Sequence, residues 1–293
     1  MTDGNGKAGQ LRRVLAPNPS PMTGPGTWTH VVGQGEVAVI DPGPAIAAHL
    51  DAILAALAPG ERVAAILVTH AHLDHSALAP ALAAATGAPV LAFGDATSGR
   101  SPVMQRLVAE GLTGGGEGID TAFRPDRCLA DGESVEGPDW RLTALHTPGH
   151  MGGHLCLEWE DVLFTGDHVM GWAPSLVSPP DGDMGAYMGS LERLAAWPWR
   201  RFLPAHGEAI ADPAARLAEL LAHRRGREAA LLHALRQGAA DLATLTARVY
   251  TDIAPALRPA AERNALAHLV DLAERNLAVA HPRPGPQALW SLP

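Results

Sequence analysis

Four side chains able to hold a metal ion fall within six residues at His70-Ala71-His72-Leu73-Asp74-His75. Neutral imidazole and carboxylate are ligands that Zn2+ accepts, with iron and manganese close behind. The apolar run Val63 to Val68 in front of them reads as a buried strand of parallel type. Residues two apart on a strand point to the same side, so His70 and His72, just past its end, can aim two imidazoles at one point. Asp74 and His75 then bend back from the start of the following helix. A single histidine on a polar loop would carry no meaning; four such groups at this spacing predict a histidine-rich site with a mixed carboxylate and histidine site beside it.

Further candidates repeat the arrangement of a short apolar run, a sharp turn and a ligand type. His150 closes Thr147-Pro148-Gly149-His150, Asp167 closes Phe164-Thr165-Gly166-Asp167, and His206 lies in Phe202-Leu203-Pro204-Ala205-His206-Gly207. Ligands at the carboxyl ends of successive strands in an α/β sandwich gather along one edge, where such folds place their sites. Seven candidates result, enough for a pair of metals bridged by hydroxide. His154 and His168 flank candidate positions and suit either a supporting or a substrate-contacting role. Asp41 can sit beneath a metal site or simply form its Asp-Pro-Gly-Pro turn. The phenol of Tyr187 can stabilise an oxyanion or pack on its helix. His30, His49, His146, His223, His233, His268 and His281 each have an ordinary home on a strand, helix face or loop.

The elements that must position these groups are readable in outline. Residues 1 to 26 form a Pro- and Gly-rich leading arm; Thr27 to Gly33 and Glu36 to Ile40 are strands. Helical periodicity covers Pro44 to Ala58, a strand leads into the histidine motif, and His75 to Ala85 and Ala88 to Phe93 continue a β-α-β-α-β order. A helix over Pro102 to Glu110 and a mobile loop over Gly111 to Gly118 follow. Strands recur at Ser134-Val135, Trp140 to His146, His154 to Trp159 and Val162 to Thr165, then a helix at Met184 to Trp197. After Asp212-Pro213, an N-cap with Pro at the first helical position, a helix runs to about Gln237, interrupted at Gly226 as a hinge. Helices at Asp241 to Tyr250 and Pro259 to Arg275 precede two strands, Leu277 to Ala280 and Ala288 to Leu292. Three helices and a hairpin resemble a winged helix. Residues 1–210 are therefore read as the catalytic domain and 211–293 as a helical second domain.

At 293 residues with 47% apolar content the chain has ample core, and it lacks the uninterrupted apolar run of ~18 residues a membrane helix needs. No secretory signal is visible in its polar start, so a cytoplasmic location is expected. Cys128 and Cys156 lie far apart without a CxxC pair, which argues against a disulfide framework and for buried thiols. The formal charge is −9; residues 1–210 carry 12 basic and 23 acidic groups, residues 211–293 carry 10 and 8. Neither part has the basic footprint of a dedicated nucleic-acid binder.

HxHxDH, TPGH, the aspartate after FTG, and PAHG, in that order across residues 27–210, resemble the metallo-β-lactamase fold superfamily. Leu15-Ala16-Pro17-Asn18-Pro19, Val39 to Pro44, Pro179-Pro180-Asp181-Gly182-Asp183 and the helical tail are most similar to its beta-lactamase-like protein 2 branch, with glyoxalase II-like proteins as neighbours. The resemblance implies an αββα sandwich with a C-terminal winged-helix-like domain. It implies two Zn2+ per chain, with Fe or Mn as substitutes: one held by His70, His72 and His150, one by Asp74, His75 and His206, and Asp167 bridging. Met151 stands where many relatives have Thr.

Two metals sharing an oxygen lower its pKa, so hydroxide is available at neutral pH without a side-chain base. Asp74 is then placed to orient the nucleophile and pass a proton to the leaving group. The leading expectation is hydrolysis of a small ester, thioester, lactone or lactam. Cleavage of single-stranded RNA is the second, with strong salt dependence as its mark, and an iron oxygenase similar to persulfide dioxygenases the third. The tail, whose presumptive recognition helix balances Glu262 and Glu274 against Arg263 and Arg275, is expected to be a lid or substrate wall rather than a DNA reader. No membrane partner is expected, and the oligomeric state is not readable.

Overall fold

Short runs rich in valine and isoleucine, each bounded by turn residues, build the first sheet. In the computed structural model, which describes residues 10–113, 118–251 and 253–293, β1 (Leu11–Leu15), β2 (Trp28–Val32) and β3 (Glu36–Ile40) form an antiparallel meander. Helix α1 (Ala47–Ala55) crosses to β4 (Arg62–Leu67), which lies parallel to β3. Helices α2 (Leu73–Ser76) and α3 (Ala79–Thr86) lead to β5 (Val90–Ala92), and α4 (Pro102–Ala109) precedes β6 (Arg127–Cys128), both strands again parallel.

The second sheet runs antiparallel through β7 (Ser134–Glu136), β8 (Arg141–His146), β9 (Leu155–Trp159) and β10 (Val162–Gly166). Helix α5 (Met184–Ala195) then returns the chain to β11 (Arg201–Pro204), parallel to β10. Side chains from the two sheets, among them Ile40, Leu67, Leu142, Leu157 and Phe164, meet in a shared apolar layer. Ile53, Leu78 and Leu82 cover the outside of the first sheet, and Leu191, Leu194, Leu217 and Leu220 cover the second. The result is the αββα sandwich expected.

Helix α6 (Pro213–Arg236) starts as the Asp-Pro pair predicts: Asp212 accepts the amide of Ala215, and Pro213 occupies the first helical position. β12 (Ala240–Asp241), α7 (Leu242–Val249), α8 (Arg258–Glu274), β13 (Val279–His281) and β14 (Leu289–Ser291) complete the chain. Leu231, Leu235, Leu245, Leu269 and Trp290 form the core here, joined by Met104 and Leu107 of α4. The wing is a three-stranded sheet, because β12 pairs with β14 outside the predicted hairpin.

Several sequence expectations are corrected. Residues 10–26 are not a loose arm: β1 is an edge strand, and the rest turns back so that Ala16 and Asn18 bond Thr27 and the Gly26 carbonyl meets His206, while residues 1–9 lie outside the described residues. The helix expected from His75 is two short helices, α2 and α3. Gly226 neither breaks nor hinges α6; one exposed glycine costs ~1 kcal/mol relative to alanine, too little to interrupt a helix of 24 residues. Cys128 is exposed on its edge strand, whereas Cys156 is buried, and burial pushes its thiol up to about 12. Of the loop expected over Gly111 to Gly118, residues 114–117 lie outside the described residues.

Candidate metal centre

Each candidate side chain stands just past the end of a strand. His70, His72, Asp74 and His75 follow β4, His150 follows β8, Asp167 follows β10 and His206 follows β11. The sandwich brings these ends together. His70, His72, His150 and Asp167 form one group and Asp74, His75 and His206 another, with one potential ligand atom from each residue within 4.8 Å of the others in its group. None of the other histidines joins either group among the described residues.

The TPGH turn must pass close to α5, and this requires glycine. A Cβ on Gly149, where φ is +149°, would lie 2.4 Å from the Cα of Tyr187. The backbone of Gly149 also accepts the amide of Asp183, whose side chain caps α5. Thus the Pro-Pro-Asp-Gly-Asp stretch ties the His150 turn to the helix beside it.

The ring orientations are set by partners outside the cluster. Thr69 Oγ1 donates to Asp41 Oδ2 at 2.8 Å, so its remaining capacity is as acceptor, and Nδ1 of His70 at 3.0 Å must be the donor. His150 donates through Nδ1 to the carbonyl of Leu176 at 2.7 Å. His75 donates through Nδ1 to Asp41 at 3.0 Å, and His206 through Nδ1 to the carbonyl of Gly26 at 3.2 Å. All four therefore turn Nε2 inward. Fixing the tautomer from behind is how proteins prepare histidine for a metal.

The inward atoms fit a pair of divalent cations. Nδ1 of His72 faces Nε2 of His70 at 2.9 Å and Nε2 of His150 at 3.2 Å. Nε2 of His206 lies 3.3 Å from Asp74 and 3.2 Å from Asp167. Asp167 sends Oδ1 toward His75 and His206 and Oδ2 toward His150, so its carboxylate spans both groups. The buried Nε2 of His75 and Oδ1 of Asp167 have no hydrogen-bond partner. Buried polar atoms that lack partners, converging from several strands, match the donor set a cation would satisfy.

Electrostatics divides the cluster. Burial, joined by His75 and His72, holds His70 well below the ordinary histidine value, and burial with His150 and His75 pushes His72 down to about 3. These rings are neutral donors. For His75 burial works the other way from Asp74, Asp167 and Asp41, which prevail and raise it well above the ordinary value. His206 likewise rises to about 10 against burial, through Asp167 and Asp74. Burial would raise both aspartates, yet the histidines bring Asp74 and Asp167 well below the carboxylate range. Protons on His75 and His206 answer the same negative charge that a divalent cation would.

The remaining candidates resolve differently. Asp41, at φ +50°, makes the turn and also sits beneath the cluster, accepting the amide and hydroxyl of Thr69 and the ring of His75. His49 donates from Nε2 to Thr29 at 2.8 Å, and Thr29 donates to the Asp41 carbonyl, so an ordinary-looking helix histidine belongs to the same support. His154 and His168 are fully buried and have no access to a substrate. His154 stands 5.1 Å behind His70, ring to ring, and His168 lies 4.8 Å from Tyr187. Tyr187 is also fully buried and its hydroxyl donates to the carbonyl of His168, which rules out the oxyanion role.

Sequence reasoning missed Thr27 and Asn18 as supports. Thr27 Oγ1 donates to Asp74 at 3.2 Å, and Asn18 brackets Thr27 by accepting its amide and donating to its hydroxyl, each at 2.9 Å. Asn18 lies in the Leu-Ala-Pro-Asn-Pro stretch already singled out, which was the available signal. Of the seven candidate ligands only His72 and Asp74 are partly exposed, so the cleft opens on their side.

A four-layer sandwich with paired histidine and aspartate groups at one end defines an αββα protein with a candidate two-metal cleft. The chain belongs to the metallo-beta-lactamase superfamily, which matches residues 22–206, and it carries a beta-lactamase associated winged helix domain at residues 242–290. Lactamase-like protein adaB of Aspergillus niger is 32% identical over 236 residues, 79% of this chain and 66% of that protein. The atrochrysone carboxyl ACP thioesterase of Aspergillus chevalieri is 32% identical over 232 residues, 77% of this chain and 65% of that protein. The chain thus spans 66% and 65% of the length of these curated relatives. The crystal structure of a metallo-beta-lactamase family protein from Thermus thermophilus is 26% identical, covers 97% of this chain and 99% of its own, and has a TM-score of 0.76. Among the described residues no helix is long and apolar enough to cross a membrane.

Proposed function

We propose that this chain is a metal-dependent hydrolase of activated acyl compounds, with a thioester as the preferred class. The observation that carries the reading is the convergence of seven side chains in two groups, four of whose rings have their inward nitrogen selected by a partner behind them. The name of the Aspergillus chevalieri relative, a carboxyl ACP thioesterase, supports the thioester over the ester, lactone and lactam. His70, His72 and His150 would hold one divalent ion, Asp74, His75 and His206 the other, and Asp167 would serve both; zinc suits this donor set and iron or manganese can replace it. When bound, the ions supply hydroxide at neutral pH and a Lewis acid for the carbonyl oxygen.

The chain's own contribution centres on Asp74. Its carboxylate is ionised at neutral pH, held by Thr27 and partly exposed at the mouth of the cleft. It is suited to orient the attacking oxygen and to take up the proton that oxygen still carries once the oxygen–carbon bond has formed. The same proton then goes to the leaving sulfur as the carbon–sulfur bond breaks, so water and thioester give carboxylic acid and thiol. His154, His168 and Tyr187 exclude water behind the site.

Elemental analysis of the purified protein, with a panel containing an acyl thioester, a lactone, a lactam, a phosphodiester and single-stranded RNA, tests the reading. Two bound metals per chain and preferential thioester turnover, abolished by His70→Ala, are expected. Turnover of RNA alone, falling steeply with salt, would replace the acyl substrate with a phosphodiester. Iron, oxygen uptake and a single metal would replace hydrolysis altogether.

A further inference from the structure

The wall of the metal centre that includes His150 and Asp167 is held from behind by the C-terminal helices. Arg224 on α6 is almost fully buried, and its guanidinium donates to the carbonyl of Ser175 and, at 3.1 Å, to Oδ1 of Asn264 on α8. The same Oδ1 accepts the amide of Val177 at 3.1 Å, while Nδ2 of Asn264 donates to the carbonyl of Ala260 at 3.0 Å. The amide of Asn264 is thereby oriented and its acceptor fully used. The guanidinium also lies over the ring of Tyr187, 5.2 Å from its centre.

Residues 175–177, hung on these two side chains, reach the candidate ligands directly. The single hydroxyl proton of Ser175 is shared between the carbonyls of Asp167 at 2.5 Å and His168 at 2.8 Å, and the carbonyl of Leu176 receives the ring of His150 at 2.7 Å. Arg224 has no carboxylate within ion-pair distance among the described residues, and its Nε lacks a hydrogen-bond partner. A buried cation without a counter-charge is costly, and a well-packed apolar residue would stabilise the fold more. What an apolar residue cannot do is hold the Ser175 carbonyl and the Asn264 amide together.

We infer that Arg224 and Asn264 are positioning residues for the metal centre, acting through the backbone of residues 175–177 on the ring of His150 and the main chain of Asp167. The inference rests on the metal reading given above. It makes the C-terminal domain a structural part of the site.

The test uses the full chain with Asn264→Leu, Asn264→Asp, Arg224→Lys and, as a control for simple destabilisation, Leu245→Ala in the C-terminal core. Hydrogen exchange at the Val177 amide and the His150 Nδ1 proton is followed by NMR, and Co2+ affinity and visible absorption are measured at a temperature where each variant is folded. Asn264→Leu is expected to speed both exchanges, lower Co2+ affinity ~10- to 100-fold and alter the cobalt spectrum, the usual effect of removing a partner behind a ligand. Asn264→Asp keeps an acceptor for both donors and stays near wild type. Arg224→Lys, reaching one acceptor, falls between and decides the question if Asn264→Leu does not fold. Unchanged exchange and affinity in the folded variants, or an equal loss in Leu245→Ala, would overturn the inference. Failure of the metal reading looks different: His70→Ala would keep full Co2+ affinity, and the exchange measurements would still decide the positioning role.

Discussion

The carboxylate of Asp41 lies 3.0 Å from Nδ1 of His75, and both side chains are buried. The same carboxylate accepts the amide and the hydroxyl of Thr69, whose oxygen then receives the ring of His70. One aspartate therefore orients a histidine in each of the two groups. Replacing it by asparagine removes the charge and one acceptor while keeping the shape. We expect Asp41→Asn to weaken metal binding by ~10- to 100-fold, read by competition with a chromophoric chelator. Unchanged affinity at both positions would show that the contact serves the turn alone.

Thr27 gives Asp74 a hydrogen bond without taking part in either group. Thr27→Val is nearly isosteric and removes only the donor. A hydrogen bond to a charged group is worth about 1.5–3 kcal/mol, so kcat should fall roughly 10- to 100-fold. Metal content and KM should hold. A variant that lost metal instead would mean that Thr27 supports binding of the ion more than proton transfer.

Gly149 leaves no room for a methyl group against the backbone of Tyr187. Gly149→Ala must move either the TPGH turn or α5, and we expect a loss of about 2–4 kcal/mol in denaturant stability. Retention of wild-type stability together with metal content would contradict the close approach.

His30 and His268 are buried and belong to neither candidate group, and burial before all else pushes each down to about 3, aided by Arg13 and Arg224 respectively. Their folded values lie below the unfolded value near 6.5, so the unfolded chain binds protons that the folded chain refuses. The stability they contribute is whole above that value and is lost as pH falls toward about 3. Each adds about 1.4 kcal/mol of lost stability per pH unit between roughly pH 5.5 and 4. In urea titrations across that window, His268→Gln should show a slope shallower by about one proton. An unchanged slope would mean that His268 is protonated in the folded protein.

The strand–turn–ligand rhythm made the seven candidates legible because a strand end fixes where the next side chains can point, and short apolar runs reveal strand ends. The layer order was anticipated only through the family resemblance, whereas three helices, a hairpin and the N-cap at Asp212 could be read from periodicity and turn residues. Boundaries were less secure where the decisive interaction is not local. β1 needed its partner β2 to become a strand, and Gly226 remained helical because its neighbours stayed packed.

The sequence by itself determined which residue types stand ready at one end of a two-sheet sandwich, since their spacing and the strands before them are written in consecutive positions. Only the tertiary structure decided how each is held. The partner of His206 is a backbone carbonyl at Gly26 and that of His150 a carbonyl at Leu176. Every residue carries such a group, so no residue type announces it. Likewise the assignment of Tyr187 to packing and of Arg224 and Asn264 to the wall of the site depended on long-range burial. Such contacts arise only when segments distant in the chain are brought within hydrogen-bond reach.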